Sequence, residues 1–216
     1  PSIWISLGRD KMFSATDHFV SPRYRASYLR PPAPLGRKVE VFEDRLYGWW
    51  LEYAQRLVAE NDRHCGYLIL SIVCVVAETL GSVNEGRIKT NRTEHHFSKG
   101  LEILFPDIAG AGAGGIRRKI YKQVRNGLMH GTTTLDGIVV DPGSGKMLVP
   151  RYANGEVVSV AIDPYAMFPH VSNASQGFIE RLRDPKEARL QQNFEKWFDH
   201  TCRARGPTAN GTSAEN

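Results

Sequence analysis

The spacing of apolar positions predicts a chain built mainly from helices. Phe42, Leu46, Trp49, Trp50, Tyr53 and Leu57 recur at helical intervals and make one apolar face on a helix starting near Val41. Residues 65–80 are apolar almost all round, which marks a central helix. The less apolar stripe of that helix carries Tyr67, Ser71, Cys74 and Glu78. Glu78 is thus a carboxylate at the edge of a buried helix and needs a partner. Residues 91–105 read as a third helix with Phe97, Leu101 and Leu104 inward, stopped by Pro106. Residues 116–130 read as a fourth.

The pattern changes after Gly131. Ile138-Val139-Val140, Met147-Leu148-Val149 and residues 157–162, with turns at 141–146 and at Asn154-Gly155, predict a small antiparallel meander. Helical spacing returns over residues 173–182, and after Pro185 a last helix carries Leu190, Phe194, Trp197 and Phe198. The expected fold class is therefore mainly α, an antiparallel helical bundle with an inserted antiparallel β meander. Residues 1–40 read as an arm, residues 41–203 as the domain, and residues 204–216 as a small, polar, disordered tail.

Composition narrows the chemistry. The 216 residues can bury a core without metal or disulfide staples, and the three cysteines show no metal-ligand spacing. The adjacent His95-His96 and His64-Cys65 also lack it, so no metal and no cofactor are expected. His170 beside Pro169 reads as loop chemistry, and Trp49-Trp50 as packing. Nothing in residues 1–20 reads as a signal peptide, and the longest apolar run is short for a membrane span. A soluble, cytoplasmic protein is the expectation. The net charge of +5 is compatible with an anionic partner. Arg23-Tyr24-Arg25, Tyr28 and Arg30 could stack on bases and hold phosphate, or lie as an extended arm across the domain. The glycine-rich run 110–115 lacks the preceding strand and the Gly-Lys-Ser/Thr ending of nucleotide-binding loops, and reads as a connector.

A helical wheel of residues 116–130 gives the sharpest signal. At about 100° per residue, Ile116, Ile120, Val124, Gly127 and Leu128 share the core side. Arg118, Lys119, Lys122 and Arg125 gather four cations on the exposed remainder, with Asn126 one turn before His130. His130 falls at the helix end, with Gly131 as the expected C-terminal cap. A histidine placed there is suited to exchanging protons.

The run Arg125-Asn126-Gly127-Leu128-Met129-His130 resembles the arginine–polar–histidine signature of the HEPN superfamily, set at a helix end after a hydrophobic helix bearing an acid. The resemblance covers roughly residues 41–130, with the last helices completing the bundle. It implies a metal-independent endoribonuclease assembled at a homodimer interface, with RNA as substrate, in defence or toxin–antitoxin settings and with room for a regulatory protein partner. Arg125 would stabilise charge on phosphate, Asn126 would orient, His130 would move protons, and Arg118, Lys119 and Lys122 would bind RNA. Glu78 is the expected partner of Arg125. The resemblance equally admits a non-catalytic module that binds RNA, a nucleotide or a protein. A nucleotide-binding enzyme using the glycine loop is a third reading.

Overall fold

Helix α3 (Gly66–Glu85) is the axis around which the other helices pack, as its all-round apolarity requires. The computed structural model describes residues 17–30, 33–60, 63–87 and 92–202. Residues 1–16 of the arm, Pro31-Pro32, the start of the expected third helix at Asn91 and the tail 204–216 fall outside the described residues. Within them, α3 is the one helix long and apolar enough to cross a membrane, and two thirds of its most apolar window is buried inside the protein.

Helix α3 runs five residues past the expected end at Leu80. Gly86, with φ 64°, caps it. Gly81, inside the helix, serves packing against α4 (Thr93–Leu104). A Cβ on Gly81 would lie 1.8 Å from the His96 carbonyl oxygen, and one on Gly100 would lie 1.7 Å from that of Ala77. Ala77 and Gly81 on one helix, and His96 and Gly100 on the other, are each one turn apart. The two backbones therefore meet directly, with no side chain between them at either crossing point.

The first helix begins earlier than expected and changes its winding. Helix α1 (Leu35–Leu46) passes through a π-turn (Tyr47–Leu51) into α2 (Glu52–Glu60). Bonding of the i→i+5 type advances each residue by less than an α-turn, so the apolar stripe slips around the helix. Phe42 and Leu46 stay buried, but Leu51 and Ala54 take the next inward places. Trp49, Trp50 and Tyr53, expected on the core face, are left 45%, 37% and 55% exposed. The described part of the arm folds onto α1: buried Asp44 accepts from the Ser21 hydroxyl, the Arg23 backbone N–H and the Arg23 side chain. Arg25 lies over Phe19, and Tyr24 stacks on Tyr28, so Arg23, Tyr24, Arg25 and Tyr28 make contacts within the chain while Arg30 stays exposed.

The sheet is mixed, not an antiparallel meander. Its order is β1 (Ile138–Val140), β3 (Glu156–Ile162), β2 (Leu148–Ala153), with β1 parallel and β2 antiparallel to β3. The β2–β3 hairpin turns at Asn154 (φ 52°) and Gly155 (φ 79°) as the sequence demands. The β1–β2 connection is what moves β1 to the far edge. Its loop closes over the Asp163 carboxylate, which accepts the N–H groups of Gly143 at 3.1 Å and Gly145 at 2.8 Å just beyond the end of β3. The loop thereby crosses the end of β3, and β1 and β2 flank that strand rather than each other.

Asp163 also caps helix α7 (Pro164–Arg183), accepting from the N–H groups of Tyr165 and Ala166, with Pro164 at the first helical position. Pro169 and His170, expected in a loop, are inside this helix. Pro169 lies exposed on this helix, where its ring meets no packed neighbour. Helix α8 (Ala188–Cys202) closes the bundle with Leu190, Phe194, Trp197 and Phe198 inward.

Burial pushes the Asp163 carboxyl upward, but the four backbone N–H groups outweigh burial and hold it below the usual carboxylate value. A carboxylate depressed in the folded state gives stability that is present above its unfolded value and lost as pH falls through the folded one. Asp163→Ala should therefore cost about 3 kcal/mol at neutral pH, as a lost cap plus orphaned donors. In urea melts the gap to wild type should narrow below about pH 4. A cost that does not change with pH would show that Asp163 contributes by packing alone.

Candidate functional site

The helix carrying the Arg125–His130 run is wound in three parts: α5 (Gly114–Lys119), a π-turn (Ile120–Arg125) and α6 (Asn126–Gly131). An interior π-turn of this kind is often found at functional sites. Its effect here is to leave Arg125 behind the position that an ideal wheel gives. Instead of standing clear of the core, Arg125 is turned against α3, with its side chain only 20% exposed.

There the guanidinium meets Glu78. Nε and Nη2 both donate to Glu78 Oε2, at 3.1 and 3.0 Å, and Nη1 donates to Asn126 Oδ1 at 3.3 Å. Tyr121 completes the surround, its ring 5.9 Å from the guanidinium carbon. Glu78, Arg125 and Asn126 are thus brought together, the acid from one helix and the base and amide from another. An open groove of about 400 Å³ adjoins them, bordered by Cys74, Glu78, Arg125, Met129, Trp197 and Thr201. Cys74 adds no nucleophile there: burial pushes its thiol up to about 12, so it stays neutral.

His130 is not part of that groove lining. It is exposed in the last turn of α6. Gly131 does not cap this helix as expected; Thr132 takes the left-handed conformation instead, with φ 59°, and its hydroxyl donates to the Gly131 carbonyl. The reversal brings the chain back over Gly127, where a Cβ would lie 2.4 Å from the Thr133 carbonyl oxygen. Gly127 is therefore a close-approach glycine inside the run, and the Leu135 N–H bonds the Gln123 carbonyl across the same return.

The four expected cations do not share one free face. Arg118 is loosely paired with Glu94 at 3.4 Å, and Lys119 lies beside Gly137 at the start of β1. Lys122 is exposed with no ion pair among the described residues. Arg117 has a different part, which its position between Val124 and Leu128 on the wheel could have signalled. It is buried and donates to Ser98 Oγ and to the carbonyls of Ile108 and Gly110, with an ion pair to Glu102 at 3.1 Å. Arg117 so ties down the glycine-rich connector, whose 3-10 turn (Ala111–Ala113) leads into α5.

The paired histidines part as expected. His95 bonds Glu85 at 3.1 Å, while His96 is buried with Nε2 unpartnered, and burial lowers its proton affinity so that it stays neutral. Among the described residues no three histidine, cysteine or acidic side chains gather in metal-binding geometry. In comparison with known proteins, the chain matches no family model, no curated protein and no solved structure.

Proposed function

We propose that this chain is a HEPN-type, metal-independent endoribonuclease acting as a homodimer. The observation that carries the reading is the held but reachable guanidinium: Arg125 is fixed by Glu78 and Asn126 at the edge of an open groove, five residues before an exposed helix-end histidine. Helix-end placement of both residues agrees with the sequence signature, and the mainly helical bundle around α3 is compatible with that family's fold.

The reaction is internal transesterification. The 2′-hydroxyl of the substrate attacks the adjacent phosphorus, a 2′,3′-cyclic phosphate forms, and the 5′-oxygen leaves. His130 takes the proton from the 2′-hydroxyl or returns one to the 5′-oxygen. Arg125 bears on the phosphate oxygens as charge builds there, with Glu78 and Asn126 fixing its plane. One histidine cannot supply base and acid on both sides of the phosphorus, so a second copy contributes its own His130. Exposed Met129, beside Arg125, gives that pairing an apolar contact.

The test is purified protein with single-stranded RNA in EDTA. Cleavage leaving 2′,3′-cyclic phosphate and 5′-hydroxyl ends is expected. It should be lost in His130→Ala while folding and dimerisation persist. Cleavage that survives this substitution would end the proposal. The second reading, a non-cutting module for RNA, nucleotide or protein, draws on the same geometry. Arg125 is already satisfied by Glu78, and His130 lies outside the groove lining. Absence of cleavage with every RNA tried would favour it.

A further inference from the structure

A second surface feature also borders Tyr121. Between α4 and α5 an open hollow of about 680 Å³ is walled by Arg92, His95, Arg118 and Tyr121. It shares Glu94, Ser98 and Arg118 with a smaller hollow of about 300 Å³ that reaches Gly114 and Gly115. The two make one trough along the α4–α5 cleft. Its far end is bare backbone, since a Cβ on Gly114 would meet nothing within 4 Å. Its near end is Tyr121, whose ring centre lies 5.9 Å from the Arg125 guanidinium carbon.

The geometry points to this trough as the seat of a single-stranded RNA segment flanking the phosphate held at Arg125. The inference rests on the RNA-directed reading above and specifies its substrate as unpaired RNA. Three observations carry it. The trough ends beside the reaction centre, because Tyr121 lines it and its ring lies 5.9 Å from the Arg125 guanidinium carbon. Arg92 and Arg118 are cations along its length, and the Arg118–Glu94 pair is a weak lock, with side chains 70% and 44% exposed and atoms 3.4 Å apart. Such an exposed pair contributes little, so a phosphate can take Glu94's place. Finally, an aromatic ring at the end of a cationic trough suits an unstacked base, which a duplex does not offer. His95 is already engaged by Glu85 and is assigned no contact.

Glu94 gives the inference an unusual signature, because removing its charge should strengthen binding. The measurement is fluorescence anisotropy with a short single-stranded RNA whose 2′-hydroxyls are methylated, so that no cleavage can occur. Arg118→Gln and Arg92→Gln should each weaken binding severalfold at low salt and reduce the log–log salt slope by about 0.7. Tyr121→Leu should weaken it roughly tenfold with the slope unchanged, while Tyr121→Phe binds as wild type. Glu94→Gln should bind more tightly. Because Tyr121 also packs on Phe97, thermal melts of each variant separate lost binding from lost folding.

Wild-type affinity in folded Arg118→Gln and Tyr121→Leu would overturn the inference. So would binding of inorganic phosphate or a mononucleotide without the oligonucleotide, equal binding of a duplex, or no binding at all. The two proposals fail separately. RNA cut by wild type with binding unchanged in these variants removes the trough and keeps the nuclease. The expected binding responses without any cleavage keep the trough and remove the nuclease.

Discussion

Gly100→Ala is expected to destabilise the protein by about 3 kcal/mol or more, a large share of the ~5–15 kcal/mol that holds a domain together. The added methyl would sit 1.7 Å from the Ala77 carbonyl oxygen, and backbone cannot rotate away as a flexible side chain can. The helices would have to separate over their whole crossing. That would loosen Phe97, Leu101 and Leu104 against Ile69, Val73, Ala77 and Leu80, all of them buried. Gly81→Ala should behave alike, for its methyl would sit 1.8 Å from the His96 carbonyl oxygen. Gly112→Ala, with no atom within 4 Å of its added carbon, is the control and should cost little. Urea denaturation measures all three. Near wild-type stability for both Gly81→Ala and Gly100→Ala would show that α3 and α4 are not in backbone contact.

Under the proposed ribonuclease reading, Arg125→Ala is expected to lower RNA cleavage by about a hundredfold to a thousandfold, the scale of losing one positioned donor for developing charge. Arg125→Lys should not restore it, because an ammonium cannot present the two parallel N–H groups of a guanidinium. Glu78→Gln should have the smaller effect, roughly tenfold in kcat, since Glu78 acts through Arg125 and the amide can still accept one bond. The alternative, a purely structural ion pair, makes a different prediction. The pair is partly exposed, 20% at Arg125 and 34% at Glu78, so a double-mutant cycle on stability should give a coupling of only about 1 kcal/mol. If cleavage in Arg125→Ala falls no further than this small loss of folded protein explains, the arginine is a strut and not a catalytic group.

Much of the fold was legible because burial repeats with the helical period. The apolarity of α3, the inward faces of α4 and α8 and the Asn154-Gly155 turn each follow from residues close together in sequence. The errors share one cause, which is that a residue's use depends on what lies across from it. The expected end of α3 at Leu80 falls short, since Gly81 packs against α4 from inside the helix. Trp49 and Trp50 belong to the inward stripe until a π-turn slips that stripe by part of a turn. Strand β1 pairs with its neighbour in sequence until Asp163 draws the intervening loop across the end of β3.

The candidate site divides in the same way. The sequence by itself determined that Arg125, Asn126 and His130 stand at the end of one helix, and that Glu78, a charge on a nearly all-apolar helix, had to find a partner. Arg125 was the expected partner, and the structure brings the two side chains together. Only the tertiary structure decided that the expected cationic face is split, leaving Arg118 with Glu94 and Lys119 at the sheet. The physical reason is that the partners come from other elements, Glu94 on α4 and Gly137 before β1, while the π-turn at residues 120–125 breaks the constant advance that an α-helical wheel assumes and turns Arg125 against α3.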